Sequence, residues 1–413
     1  MNILRLSFVR RGRAIGSLSL SVACGSSPAN DNVEAGAPAL ASASTTVDAS
    51  SSLPSPPAAT STSTSTPPTP STPPTPSTPP TPSTTTPSTP PAPVTTTPVP
   101  YRGVNLSGAE FGAALPGRQG YDYAWPTSSE VDYYLAKGMN TFRVNFMWER
   151  VQPTAKGELA PAYTAQLDAI VAHATSKNAA VLLNPQNFAR YYGVTVGSAQ
   201  VPSAVFADFW RRLALRYQSN PRVMFGLVNE PHDIPTEQWV DAANAAIAAI
   251  RAAGAQNTVL VPGNAWTGAH SWSESWYGTS NAVAMLSIVD PGHNVLFEAH
   301  QYLDVSSGGQ SGSCVSPTIG RERLAPFIDW LRANGRKGLI GELGGGNNPT
   351  CNAAVTDMLS AIDDASDVLQ GWLWWGGGPW WPTSYPFALD PRSGVDAPQM
   401  SLLTPRLAGL PRF

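Results

Sequence analysis

The chain has 413 residues, a formal net charge of -3 and only 13% charged residues, so it carries no basic field that would attract nucleic acid or anionic lipid. Its 41 prolines are about twice the usual share and crowd into one stretch, and its 13 tryptophans lie beyond that stretch. Flat indole faces stack on sugar rings, so a Trp-rich, charge-poor folded region suits carbohydrate chemistry, although Trp fills large cores as well.

The first segment, residues 1–24, reads as an export signal: Arg5, Arg10, Arg11 and Arg13, then the weakly apolar run Ala14 to Ala23, then Cys24. The run is too short to cross a bilayer as a helix, and no later segment has about 18 uninterrupted apolar residues, so no transmembrane helix is expected. Leu20-Ser21-Val22-Ala23-Cys24 resembles the box at which bacterial lipoproteins are cleaved and acylated on the cysteine. Two outcomes stay open. Cys24 carries a lipid anchor, or ordinary signal cleavage discards it and the protein is secreted.

Residues 25–100 are expected to be a disordered linker. From about Ala39 onward they are nearly all Ser, Thr, Pro and Ala, with the hexad STPPTP recurring from Ser65. Such a segment buries too little apolar surface to offset chain entropy. Proline stiffens it: at about 3.1 Å per residue, roughly fifty residues in polyproline II reach on the order of 150 Å. The segment ahead of it is too short for an N-terminal binding module.

Residues 101–413 show short apolar strands alternating with amphipathic stretches. The predicted strands are Gly103 to Leu106, Thr141 to Phe146, Ala180 to Leu183, Val223 to Leu227, Val259 to Pro262, Val295 to Ala299, Gly338 to Gly341 and Gly371 to Trp375. Helical patterns fall at Ser129 to Lys137, Ala162 to Ser176, Ser203 to Tyr217, Gln238 to Ala253, Arg321 to Asn334 and Ala353 to Asp364. Repeated βα units of this length suggest an α/β fold, either a (β/α)8 TIM barrel or a doubly wound sheet. Polar and aromatic residues at the strand ends favour the barrel, whose active sites lie there.

In chain order those strand ends carry Asn105, Arg143, Asn187, Asn229 with Glu230, Asn264, His300 with Tyr302, Glu342 and Trp375. Hydrolysing a glycoside needs two carboxylates, one to protonate the departing oxygen and one to attack the anomeric carbon. Glu230 and Glu342 fit those tasks. An arginine such as Arg143 can hold a carboxylate in a two-pronged fork and keep it ionised. The five histidines show no metal-ligand spacing, so no metal and no cofactor are expected.

The segments RGVNLSGAEFG, KGMNTFRVNFMWERVQP, NFARYYG, VNEPHD, GNAWTGAHSW, HQYLD, TIGRERLAPFIDWLRANGRKGLIGELGGG and WWGGGPWW together resemble glycoside hydrolase family 5, in the branch containing the fungal-type endoglucanases. The resemblance spans 101–413. It implies a retaining endo-β-1,4-glucanase (cellulase) with Glu230 as acid/base and Glu342 as nucleophile. It further implies that Arg143 supports the nucleophile, Asn229 holds the 2-hydroxyl of the sugar, His300 and Tyr302 flank the scissile linkage, and Trp375 is a sugar platform. Asn187 and Gln186 belong to the implied substrate-binding set, and a cysteine pair in that branch implies a Cys314–Cys351 disulfide. One departure stands out, since Asn184 and Gln186 occupy positions where the family usually has Asp and His. The implied partner is a β-1,4-glucan chain, bound and cut by a monomeric protein. The same barrel would also serve a β-mannanase or other β-glycan hydrolase, and the Gln186 departure leaves a weakly active glucan-binding protein as a further alternative.

Overall fold

A computed structural model describes residues 99–413, save Thr383 and Arg412. The export signal, Cys24 and the linker up to residue 98 lie outside the described residues, while Val99 is buried and Pro100 O accepts from Asn140 Nδ2, so the last two residues of the expected linker belong to the folded domain.

Eight parallel strands close into a barrel: β1 (Tyr101–Ala109), β2 (Thr141–Phe146), β3 (Ala180–Pro185), β4 (Val223–Gly226), β5 (Val259–Pro262), β6 (Val295–Tyr302), β7 (Gly338–Gly344) and β8 (Leu369–Gly377). Each pairs with its neighbours in chain order, and β8 returns to β1 in register Tyr101 with Gly371 and Gly103 with Leu373. The outer ring consists of α1 (Ser128–Ala136), α2 (Pro161–Ser176), α3 (Ser203–Tyr217), α4 (Thr236–Ala252), α5 (Ile319–Ala333) and α6 (Pro349–Asp364). Between β5 and β6, and after β8, the connection shrinks to one-turn helices at Asn281–Ala284 and Met400–Leu403. No helix among the described residues is long and apolar enough to cross a membrane.

The eight strands read from sequence are the eight of the barrel, but several run further. β6 continues through His300 to Tyr302, and β7 through Glu342 to Gly344, so residues expected after the strands sit on them. Rigid strand backbone therefore carries them. α6 begins earlier than its apolar periodicity suggests, because Asn348 accepts from the Cys351 amide as N-cap and Pro349 fills the first turn, where its missing N–H costs nothing.

Helix α3 shows how the ring is bound to the barrel. Phe206, Phe209, Trp210, Leu213, Ala214 and Tyr217 recur at helical spacing and are all buried. Trp210 also donates its indole hydrogen to Leu227 O at 3.0 Å, just beyond β4. Truncating such a buried aromatic to Ala typically costs about 3 to 5 kcal/mol.

Inside the barrel, Ala180, Leu182, Met224, Leu260, Leu296, Leu339 and Leu373 form a separate apolar plug. Tyr101 and Phe413 pack against it, their rings stacked 4.9 Å apart. Side chains two positions further along a strand point to the same face. The step from Leu296 to Glu298, His300 and Tyr302 therefore climbs from the plug into a polar layer towards the C-terminal mouth.

Candidate active site

Arg143 is the hub of that layer. Fully buried on β2, its Nη1 donates to Glu342 Oε1 at 2.7 Å, to Asn105 Oδ1 at 2.8 Å and to Asn145 Oδ1 at 3.3 Å. Its Nη2 donates to Asn229 Oδ1 at 2.8 Å and lies 3.1 Å from Glu298 Oε1. The expected two-pronged grip on Glu342 is thus replaced by a fork divided between two carboxylates, because Glu298 competes for the second prong. Burial works against the guanidinium charge, yet Glu298 and Glu342 outweigh it and hold Arg143 above its ordinary pKa.

The second oxygen of Glu342 belongs to Tyr302, whose phenol donates to Oε2 at 2.7 Å. Burial and the Glu342 charge hold that phenol well above its usual pKa, so it remains a donor. Tyr302 is itself clamped: its ring stacks on Phe387, and Gly309 lies so close that an added Cβ would come within 2.8 Å of the ring.

Glu230 sits in the loop after β4 with φ +42°, a left-handed conformation that costs a residue with a side chain on the order of 1 to 3 kcal/mol. Hydrogen bonds hold it there. The Asn229 amide donates to Pro185 O at 2.9 Å, the Trp266 amide donates to Pro231 O at 3.0 Å, and His232 Nδ1 reaches Glu230 O at 2.9 Å. His232 stacks on Trp266 at 4.6 Å, which braces the turn. His300 Nδ1 lies 2.9 Å from Glu230 Oε1 and 3.6 Å from Glu342 Oε2, while its Nε2 is 3.1 Å from Glu298 Oε1. Burial and the neighbouring Glu342 charge raise the Glu230 pKa, against the lowering effect of His300 and Arg143.

One oxygen of Glu230, one of Glu342 and a ring nitrogen of His300 all lie within 4.8 Å of one another. A cation fits such a trio in principle. Here Arg143 and Tyr302 already hold both Glu342 oxygens and His300 holds Glu230, so the trio is a hydrogen-bonded network rather than a set of free ligands.

The remaining residues singled out in the sequence divide into two groups. Asn229 joins the site: its Oδ1 is held by Arg143, and its buried Nδ2 has no protein partner. Trp375 is buried edge-on to the half-buried Trp381, and Trp381 stacks on Tyr385 at 4.1 Å and meets Phe111 edge-on. Gln186 is half-buried and accepts from Asn184 Nδ2 at 2.8 Å, ending a chain of neutral amides that runs back through Asn145 to Arg143. Two others brace loops. Asn187 accepts from the Trp148 amide and donates to Glu149, so it ties the β3 loop to the β2 loop instead of facing the glutamates. Asn264 donates to Ile234 O and Thr236 Oγ1, whereas Asn105 stays in the polar layer, accepting from Arg143 and donating to Gly341 O on β7. A polar side chain at a strand end serves the backbone as readily as a ligand, and the sequence does not separate the two uses.

Cys314 and Cys351 form a disulfide, with Cα atoms 5.1 Å apart, that clips the β6 loop to the start of α6. Glu298, Asn145, His232, Trp266 and Trp381 went unnoticed in the sequence. The signal for Glu298 and Asn145 was present: each lies two residues from a chosen residue on the same strand, His300 and Arg143, and so shares its face.

Residues 95–378 match the family described as Cellulase (glycosyl hydrolase family 5). Endo-beta-1,4-glucanase B of Aspergillus niger is 41% identical over 294 residues, covering 71% of this chain and 86% of that one. The solved endo-beta-1,4-glucanase Xac0029 of Xanthomonas axonopodis pv. citri is 50% identical, with a TM-score of 0.73 over 74% of this chain and 98% of that one. XacCel5A, solved in complex with cellopentaose, is 45% identical with a TM-score of 0.74, covering 75% and 99%. With the family model spanning most of the barrel and relatives this similar along nearly their whole length, the chain belongs to glycosyl hydrolase family 5.

Proposed function

We infer that this barrel is an endo-β-1,4-glucanase that hydrolyses β-1,4-glucan chains with retention of configuration. The observation that carries the reading is the approach of the two carboxylates. An oxygen of Glu230 and one of Glu342 lie within 4.8 Å, an approach that suits the roughly 5 to 5.5 Å carboxyl separation of retaining enzymes and leaves less room than the roughly 6.5 to 9.5 Å that inverting enzymes use to admit a water.

In the first step Glu342 attacks the anomeric carbon while Glu230 gives its proton to the departing oxygen. The carbon–oxygen bond breaks, and a glycosyl ester forms on Glu342. In the second step Glu230, now a carboxylate, takes a proton from water as that water attacks the same carbon and frees Glu342. Asn229 Nδ2 is the donor awaiting a sugar hydroxyl. Left unpaired and buried it costs about 1 to 3 kcal/mol, which the substrate relieves. The aromatic cluster around Trp375, Trp381 and Phe111 offers π-faces to a chain with axial C–H groups.

The test is turnover of cello-oligosaccharides and carboxymethyl cellulose, with the first product anomer read by NMR. Initial β-anomer is expected, and an initial α-anomer overturns retention. Faster release from galactomannan overturns the glucan assignment. We further propose that residues 1–24 direct export of a monomeric enzyme, with Cys24 the point of acylation. Labelled palmitate should enter the precursor and be lost in Cys24→Ala.

A further inference from the structure

Glu298 is a carboxylate where the barrel would be cheaper without one. It is wholly buried on β6, its Oε2 has no partner, and a buried ion costs more than a neutral side chain of similar volume unless its partners need the charge. Space has been kept for it, since a Cβ on Gly341 would stand 2.0 Å from Oε1. Arg143 shares the Glu298 charge at 3.1 Å, but Glu342, Asn105, Asn145 and Asn229 also accept from its two terminal nitrogens, and a guanidinium keeps its proton without a fifth acceptor. His300 is different: among the described residues Glu298 is the acceptor its Nε2 meets.

The charge on His300 decides where the catalytic proton sits. A neutral imidazole with its hydrogen on Nε2 presents a lone pair at Nδ1, and Glu230 would have to spend its proton on that lone pair. An imidazolium instead donates from Nδ1 to Glu230 Oε1, leaving the proton of Glu230 on its other oxygen, free for the leaving group. We propose that Glu298 is a positioning residue that holds His300 as the doubly protonated imidazolium, and thereby keeps the acid proton of Glu230 available to the glycosidic oxygen. The inference deepens the glycosidase reading and rests on it.

The charges around His300 agree. Glu230 faces it from the β4 loop, Glu342 from β7, Glu298 from its own strand and Arg143 from β2, with neutral Tyr302 alongside. With Glu230 protonated, two cations face two carboxylates and the buried set is neutral. After the first step Glu342 is an uncharged ester and Glu230 an anion, so the set is neutral again. Burial alone would lower the imidazolium pKa, but Glu342, Glu230 and Glu298 raise it to about 9. Removing Glu298 takes away the carboxylate at Nε2, so the elevation of His300 should shrink.

The test uses the whole chain labelled with 15N-histidine, with the His300 resonances assigned by their loss in His300→Asn. In the wild type His300 should be an imidazolium at pH 7, and in Glu298→Gln its midpoint should fall by at least about one pH unit, while Glu298→Asp should keep most of the elevation. Kinetically, kcat/KM of Glu298→Gln should stay within about threefold of wild type at pH 5, where His300 is protonated in both, and the ratio to wild type should fall a further twofold or more by pH 8, as the lowered midpoint requires. A neutral His300 in the wild type at pH 7, an unmoved midpoint in Glu298→Gln, or a loss of activity independent of pH overturns the proposal. If Glu298→Gln does not fold, the wild-type titration and Glu298→Asp still decide it. The NMR arm needs no turnover, so a charged, Glu298-dependent His300 in a chain that cleaves no glucan would overturn the glucanase reading while leaving the coupling intact.

Discussion

Tyr302 gives its phenolic hydrogen to Glu342 Oε2 at 2.7 Å, the oxygen that Arg143 leaves free. That bond weakens as Glu342 becomes an ester and returns as the ester breaks, so it assists the second step more than the first. Tyr302→Phe should lower kcat about ten- to a hundredfold, the worth of one hydrogen bond to a charged group. KM should fall as well, because the glycosyl ester accumulates. Pre-steady-state kinetics should show a burst, and equal slowing of both steps would contradict the argument.

Glu342→Gln removes the nucleophile and leaves the aromatic platforms intact. Activity should drop by several orders of magnitude with oligosaccharide affinity largely retained, measured by kcat and by equilibrium binding on one substrate. A wild type equally inactive, with both proteins binding glucan, would mark a binding protein.

Gln186 closes the amide chain from Asn184 and has no part in either proton transfer. Gln186→His should raise kcat/KM, but by less than about tenfold, or roughly 1.4 kcal/mol. A larger gain would mean that a cation is needed there.

Glu110, at the end of β1, is buried with Oε1 unpartnered while Oε2 accepts from the Gly108 amide at 2.6 Å. Burial raises its pKa to about 7. The unfolded value is about 4.3, so the native state binds the extra proton between the two. Its stabilising contribution is complete below about pH 4 and is lost as pH rises through 7. Glu110→Gln should therefore match the wild type in thermal stability near pH 4 and exceed it at pH 8, by at most about 4 kcal/mol. Asp390, raised by burial to about 6, gives a residual slope of the same sign in the variant.

Replacing Cys314 and Cys351 together by Ser opens a loop of sequence separation 37 and should cost about 2 to 4 kcal/mol in denaturant titration.

The fold was legible because parallel strands buried on both faces read as short apolar runs, and α3 was bounded to the residue by its aromatic periodicity. The site was legible only in part. Glu230 and Glu342 announce themselves by residue type. Whether a side chain completes the chemistry or braces a loop depends on partners distant in sequence: Arg143 meets Glu342 across 199 residues, and Asn187 meets Glu149 instead of a ligand. Glu298 escaped because it lies inside an apolar strand and resembles a tolerated interruption, when a carboxylate there demands a buried cation.

The leucine-rich plug beneath the polar layer fills the barrel interior on that side, which leaves the C-terminal mouth as the approach to the two glutamates. The water that completes each turnover must arrive through the opening by which the severed glucan departs. Egress of that fragment therefore precedes hydrolysis, and at high oligosaccharide concentration a second sugar standing in the mouth takes the place of water, so chains longer than the starting material should appear among the early products.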